Sequence, residues 1–115
     1  MKHDVVMTPT TFAYLDYTQG DPTVDPPIYA NLRTDKCYSF EPVPDGADAK
    51  FILGGQGNLW TEQVPTLRHV MYMTYPRSWA LAEDFWTPKE LKNWEGFAAR
   101  MENQFKRNDL AEINY

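Results

Sequence analysis

The chain is organised around residues 51–62, which read FILGGQGNLWTE. This segment opens with three apolar residues and closes with an aromatic ring, Trp60, and a carboxylate, Glu62. In an extended backbone, residues two positions apart point to the same side, so Trp60 and Glu62 would face one ligand together. A sugar suits that pair, because it offers a C–H face to the indole and hydroxyls to the carboxylate. The alternative is that the two glycines form a turn, that Trp60 packs in the core and that Glu62 is solvated.

A second candidate binding segment is residues 10–17, TTFAYLDY. Phe12, Tyr14 and Asp16 stand at alternating positions, and an extended backbone would point all three the same way. Tyr14 and Asp16 would then be two further polar groups in a pocket. The alternative makes Tyr14 a core aromatic whose hydroxyl bonds to backbone, and Asp16 a turn residue.

Two short strands are predicted. Val5-Val6-Met7 is typical of a buried strand that Pro9 stops, and the second strand covers residues 49–53. Between them, residues 18–48 form a long connection rich in turn formers, with one or two helical turns predicted around residues 29–36. Because no hairpin joins the strands, a parallel arrangement is favoured. A connection of this length is usually functional or wraps neighbouring structure.

About three helices are predicted in the second half. The first has Pro65 in its first turn and ends at Pro76, and the second runs over residues 77–86. The third begins at residues 87–90, TPKE, which combine an N-cap, a first-turn proline and a capping-box glutamate. Its apolar residues recur at three- and four-residue spacing, which predicts a face packed on the core. These residues are Leu91, Trp94, Ala98, Met101 and Phe105, and Leu110 and Ile113 in the tail are expected to dock.

Composition excludes several function classes. With 115 residues the chain is at most one domain, residues 1–115, with no second domain. The formal charge of −5 and the lack of any basic run argue against nucleic acid as a partner, and no apolar stretch is long enough to span a membrane. His3 and His69 lie far apart and near no ligand cluster, so no metal site is predicted, and no cofactor is predicted either. The single cysteine, Cys37, leaves no disulfide within the chain.

Three motifs resemble those of one enzyme family. Residues 54–62 resemble the last-strand motif of glycoside hydrolase family 20, the β-N-acetylhexosaminidases. Tyr14-Leu15-Asp16 resembles the motif of that family's preceding strand. Residues 75–78, YPRS, together with Glu83 and Trp86, are similar to the helix that follows the last strand. Three motifs in the right order are more specific than any one of them, and the resemblance covers most of the chain.

The resemblance implies an α/β fold, the C-terminal portion of a (β/α)8 barrel, which builds its sites at the carboxyl ends of its strands. This chain would supply the last two β/α units of that barrel, as two short parallel strands, about three helices and a long loop. The rest of the barrel, or further copies of the chain, would then be its structural partner. Gly57 departs from the family pattern, where alanine is expected, without touching the binding roles.

The resemblance also implies a chemistry. Family 20 enzymes are retaining hydrolases in which the substrate's own 2-acetamido group attacks the anomeric carbon, so no enzyme nucleophile is needed. Carried over by position, Tyr14 would donate its hydroxyl to the acetamido oxygen, and Asp16 would accept from the hydroxyl on carbon 6. Trp60 would stack beneath the terminal sugar, and Glu62 would accept from the hydroxyl on carbon 4. The expected ligand is a glycan containing N-acetylhexosamine, and a parent enzyme of this type is commonly exported to the periplasm or secreted.

Parts of the family's machinery have no counterpart in this sequence. The paired Asp-Glu that orients the acetamido group and serves as general acid/base comes from an earlier strand, and the substrate-gripping arginine comes from the first strand. The adjacent Glu83-Asp84 lies in a predicted helix and does not match the motif that carries this pair, and Arg77 and Glu83 are assigned to structure as an ion pair. We therefore expect a parent glycoside hydrolase and an inactive isolated chain. The alternatives are a non-catalytic carbohydrate-binding module and a fragment that associates with itself through exposed strand edges.

Overall fold

The computed structural model describes residues 3–21, 23, 25 and 29–115. Strands β1 (Val5–Met7) and β2 (Ile52–Gly55) pair in parallel, with Met7 opposite Gly55. The predicted parallel arrangement is confirmed. The second strand begins later than predicted, because Ala49–Phe51 form a 3-10 helix capped by the side chain of Asp48.

Strand β1 is not buried, contrary to the prediction. Val5 and Val6 are 40% and 48% exposed, and Leu53 on β2 is 66% exposed. Within the described ranges each strand has a strand neighbour on one side only. Side chains that a wider parallel sheet would cover therefore face solvent.

Five helices accompany the strands in the described part of the chain. They are α1 (Thr10–Ala13), α2 (Thr34–Tyr38), α3 (Leu67–Thr74), α4 (Arg77–Trp86) and α5 (Trp94–Leu110). Helix α1 contradicts the extended backbone predicted for residues 10–13, whereas Tyr14 is extended, as predicted. The carbonyl of Pro9 accepts hydrogen bonds from the N–H groups of Phe12 and Ala13, at 3.1 and 2.9 Å, and these bonds close a helical turn. Helix α2 lies at the end of the predicted helical turns and continues past them.

Helices α3 and α4 follow the prediction closely. The N-cap of α3 is Thr66, whose hydroxyl accepts from the N–H of His69, so Pro65 lies before the cap and not in the first turn as predicted. Helix α3 ends at Thr74 because Tyr75 precedes a proline and adopts an extended backbone. Helix α4 has the predicted bounds.

The long helix α5 begins at Trp94, later than predicted. Its cap is Asn93, whose side chain accepts from the N–H of Gly96 at 2.6 Å, whereas Lys89–Leu91 form a separate 3-10 helix. The predicted capping role of Thr87 is therefore wrong. None of the helices in the described ranges is long and apolar enough to cross a bilayer.

The late start of α5 also narrows its core face. Phe97 is buried, whereas Leu91 is 69% exposed because it lies before the helix. Trp94 is 38% exposed, and the other members of the predicted stripe, Ala98, Met101 and Phe105, are half-buried. Leu110 is the last residue of the helix and is 88% exposed, so the expected docking of this side chain is wrong.

The long connection wraps the body of the chain, as predicted. Tyr38 and Phe40 are buried; Tyr38 stacks on Phe97 and Phe40 on Phe12, with ring centroids 4.6 and 5.3 Å apart. The neighbouring Cys37 is fully buried, and this burial raises the pKa of its thiol to about 12. These contacts fix the connection against α1 and α5, and the hydroxyl of Tyr38 also donates to Glu83 of α4 at 2.9 Å.

Candidate functional site

One cavity is lined by all four residues singled out in the sequence. Its volume is about 260 Å³, and its lining residues are Tyr14, Asp16, Tyr17, Tyr29, Trp60 and Glu62. The cavity lies beyond the carboxyl ends of β1 and β2, the end at which parallel α/β folds build their sites.

A short backbone pairing brings the two halves of the cavity together. Tyr14 and Asn58 form an isolated parallel bridge downstream of the strands. The N–H of Leu15 donates to the carbonyl of Asn58 at 2.6 Å, and the N–H of Asn58 donates to the carbonyl of Ala13 at 2.8 Å. This pairing has a register of its own, separate from that of β1 and β2, and it places residues 14–16 beside residues 58–62.

Aromatic rings form a continuous wall on one side of the cavity. The rings of Tyr14 and Trp60 are 6.4 Å apart at an angle of 52°, and Tyr17 lies 6.2 Å from Tyr14 and 6.0 Å from Tyr29. Trp60 is 52% exposed, which excludes the alternative of a core tryptophan. About half of the surface of Trp60 is thus accessible to a ligand.

The buried carboxylate of the cavity belongs to Asp16. Its side chain is 5% exposed, and its Oδ1 atom has no hydrogen-bond partner among the described residues. Burial raises the pKa of this carboxyl group, while the backbone N–H of Asp16 lowers it; the charge of Glu62 raises it and that of Arg77 lowers it. Asp16 is therefore a desolvated acceptor whose Oδ1 is unused.

Glu62 supplies the second carboxylate, and it is exposed at the mouth of the cavity. The site thus combines an open indole face with two acceptors and with phenol hydroxyls that can donate. Carboxylates form strong charge-assisted hydrogen bonds with hydroxyl donors. This arrangement suits a polyhydroxylated ring better than a flat apolar ligand or a phosphate.

A family model matches most of the chain. The model described as glycosyl hydrolase family 20, catalytic domain, matches residues 1–89. The chain belongs to glycosyl hydrolase family 20. The resemblance inferred from the sequence motifs is thereby confirmed.

Relatives within family 20 are much longer than this chain. A β-hexosaminidase of Porphyromonas gingivalis is 42% identical over 122 residues, which cover 100% of this chain and 15% of that protein. A β-hexosaminidase of Akkermansia muciniphila is 29% identical, over 97% of this chain and 23% of that protein. A solved structure, the GH20 exo-β-N-acetylglucosaminidase from Vibrio harveyi in complex with N-acetylglucosamine, matches with a TM-score of 0.88 and 34% identity. That match covers 97% of this chain and 18% of the Vibrio chain.

Two lining residues of this family 20 segment were missed from the sequence. Tyr17 would point away from Asp16 in an extended strand, but a turn closed by the N–H of Tyr17 and the carbonyl of Tyr14 brings it to the same cavity. Tyr29 lies in the long connection with a φ of 58°, the left-handed region. Neither the turn nor this backbone conformation has a signal in the residue pattern.

The predicted ion pair between Arg77 and Glu83 is wrong. Arg77 is fully buried and, among the described residues, donates only to main-chain carbonyls, whereas Glu83 pairs with Arg100 at 2.5 Å and accepts the hydroxyl of Tyr38 at 2.9 Å. Residues six positions apart on a helix lie on different faces, so the two side chains of α4 leave in different directions. Across the described ranges, no group of three or more histidine, cysteine or acidic residues could hold a metal ion.

Proposed function

We propose that residues 1–115 form the last two β/α units of a (β/α)8 catalytic barrel. The parallel pair β1–β2, the helices that follow each strand and the likeness to part of the Vibrio harveyi structure support this proposal. Exposed apolar side chains on both strands, such as Val6 and Leu53, are surfaces that further strands and helices of a barrel would cover. The partner of this segment is then the rest of the barrel.

We further propose that the protein containing this segment is a β-N-acetylhexosaminidase that removes terminal N-acetylhexosamine from glycans. The observation that carries the proposal is the single cavity shared by Tyr14, Asp16, Trp60 and Glu62. The Vibrio harveyi structure contains N-acetylglucosamine, a polyhydroxylated ring of the kind that an indole face and two carboxylates can bind. In this role the exposed face of Trp60 stacks beneath the terminal ring, burying apolar area on both partners.

The two carboxylates orient the sugar. The unused Oδ1 of Asp16 accepts the hydroxyl on carbon 6, which gives this buried acceptor the partner that it lacks among the described residues. Glu62 accepts the hydroxyl on carbon 4. A hydrogen bond to a charged group contributes about 1.5–3 kcal/mol. Each contact therefore favours a sugar with a hydroxyl at the right position over one without it.

Tyr14 takes part in the chemical step. Its hydroxyl donates to the acetamido oxygen, which attacks the anomeric carbon as the glycosidic bond breaks. The leaving oxygen takes its proton from a general acid supplied by another part of the barrel, and an oxazolinium ion forms. Water then attacks the anomeric carbon from the face that the leaving group vacated, and the C–O bond to the acetamido oxygen breaks, so the anomeric configuration is retained.

The experiment that tests the proposal is an exchange of segments. Residues 1–115 replace the corresponding segment of the Vibrio harveyi enzyme, and hydrolysis of a chromogenic β-N-acetylglucosaminide is measured. We expect a folded, active chimera in which Tyr14→Phe lowers kcat/KM by about 10²-fold, as expected for loss of a donor to developing charge. Trp60→Ala should raise KM, and Trp86→Ala, whose indole is 90% exposed on α4 away from the cavity, should change neither constant.

Besides a folded but inactive chimera, two results would contradict the proposal. One is a folded chimera in which the variants at Tyr14 and Trp60 are as active as the unchanged chimera. The other is turnover by the isolated chain. A general acid contributes about 10²- to 10⁴-fold, so residues 1–115 alone should be inactive.

A second candidate is a non-catalytic fragment that binds carbohydrate and associates with itself. The exposed strand residues Val5, Val6 and Leu53 favour this candidate, because unpaired parallel strands can add copies of themselves. Light scattering on the isolated chain distinguishes the two. A monodisperse folded monomer counts against self-association.

A further inference from the structure

Arg77 holds the backbone on both sides of Asp16. Its Nη2 donates to the carbonyl of Leu15 at 2.6 Å, and its Nη1 donates to the carbonyl of Tyr17 at 2.7 Å. The same two nitrogens also donate to the carbonyls of Leu32 and Met73. One side chain on α4 thus fixes the turn that carries the buried carboxylate of the cavity.

This arginine is fully buried, yet it has no carboxylate partner within salt-bridge distance in the described ranges. A buried cation is expensive unless nearby groups compensate it. The compensation comes from four carbonyl dipoles and, at longer range, from the negative charges of Asp16 and Asp25. A lysine cannot make the same contacts, since its single nitrogen lacks the planar fork that spans Leu15 and Tyr17.

Asp16 depends on this clamp because no regular element holds it. It lies in a turn between α1 and the long connection, and the carbonyls before and after it both bond to the guanidinium. Its Oδ1 is left without a partner among the described residues. The direction of the carboxylate therefore follows from the backbone that Arg77 fixes.

We propose that Arg77 is a positioning residue of the sugar site, which orients Asp16 through the carbonyls of Leu15 and Tyr17 and places a permanent positive charge near its carboxylate. The inference rests on the proposed sugar-binding role of Asp16. It adds to that role a residue that lies outside the cavity and touches no ligand.

The electrostatics of the site agree with this geometry. The charge of Arg77 lowers the pKa of Asp16, against the larger raising effect of burial and that of Glu62. On the side of Arg77, burial lowers its pKa to about 10, and Cys37, Tyr72, Asp16 and Asp25 all raise it. Because burial raises the pKa of both Cys37 and Tyr72 to about 12, these two groups are neutral at physiological pH. The negative charges that then act on Arg77 are those of Asp16 and Asp25.

The first test is a titration of the unchanged chain by NMR. The guanidinium signals of Arg77 should shift with pH as the carboxyl group of Asp16 ionises, and this shift should disappear in Asp16→Asn. Arg100, which is exposed and pairs with Glu83, provides the control signal and should not respond to Asp16→Asn. Arg77 signals that titrate identically with and without Asp16 would overturn the inference. This readout needs no sugar and no activity, so it stands apart from the proposed function.

The second test is a double-mutant cycle in the active chimera. Asp16→Asn should lower kcat/KM by about tenfold or more, as expected for loss of a charge-assisted hydrogen bond. If Arg77 acts through Asp16, Arg77→Lys alone should lower kcat/KM by a similar factor. When Asp16→Asn is already present, adding Arg77→Lys should lower kcat/KM almost no further. Arg100→Lys is the matched control. Fully additive losses would show a general structural role for Arg77 and would refute the inference, whereas an inactive chimera would contradict the proposed function and leave the titration to decide.

Discussion

Replacing Asp84 by asparagine is expected to remove most of a pH dependence in the stability of this chain. The side chain of Asp84 on α4 is fully buried, and its Oδ1 lies 2.5 Å from Nζ of Lys92, which is 12% exposed. Lys92 also donates to the carbonyl of Phe40 at 2.9 Å and lies over the ring of Tyr38. The pair thus joins α4 to the segment that precedes α5.

The sign of the effect follows from the pKa of Asp84. Burial raises this pKa from 3.8 to about 7, because it outweighs the hydrogen bond and charge of Lys92, which lower it; Glu83 and Glu41 raise it further. Between the two values the folded chain holds a proton that the unfolded chain has lost. The free energy of unfolding therefore falls as pH rises through this window and levels off above it. A shift of about three pKa units corresponds to roughly 4 kcal/mol.

The assay is urea unfolding followed by tryptophan fluorescence, between about pH 4 and pH 8. The relevant quantity is the difference in free energy of unfolding between the unchanged chain and Asp84→Asn, because the raised pKa of Asp16 adds a dependence of the same sign. As pH rises, the unchanged chain should lose stability relative to Asp84→Asn. Asp35→Asn, on the exposed face of α2, is the control. A difference that stays constant across the pH range would refute the reasoning.

Three further predictions concern the fold. Gly55→Ala should destabilise the chain by about 1–3 kcal/mol, measured by urea unfolding, because the added Cβ would overlap the ring of Phe85; an unchanged midpoint would contradict this packing. The buried thiol of Cys37 should resist a disulfide reagent such as DTNB in the native chain and react at once in denaturant, so rapid native labelling would show that it is accessible. Asn93→Ala should lower the free energy of unfolding by about 1 kcal/mol because α5 loses its N-cap, whereas Thr87→Ala should leave it almost unchanged. Equal losses in the two variants would argue against the observed start of the helix.

The sequence predicted the parts of the structure that depend on local pattern and on chain order. The parallel pairing of β1 with β2 followed from two apolar runs that no hairpin joins, and the bounds of α4 followed from its position after Pro76. The grouping of Tyr14 with Trp60 rests on the isolated parallel bridge between Tyr14 and Asn58, which follows the paired strands in the chain. The chemical roles of these residues remain predictions.

The parts that the sequence did not predict depend on tertiary context. The helical turn α1 forms because the carbonyl of Pro9 meets two N–H groups, which outweighs the alternating pattern of residues 10–17. The TPKE pattern after α4 matches a capping box, yet Asn93 caps the long helix. The sequence predicted an ion pair between Arg77 and Glu83, but carbonyls from distant segments compensate the charge of Arg77. Contacts between segments far apart in sequence leave no periodic signal for such a residue.

The measurement that tests the central claim most directly is a crystal structure of the active chimera soaked with N-acetylglucosamine. We expect the sugar ring on the face of Trp60, the hydroxyl of Tyr14 on the acetamido oxygen, and the carboxylates of Asp16 and Glu62 on sugar hydroxyls. A sugar bound elsewhere, or bound in this cavity without touching these four side chains, would contradict the proposed site.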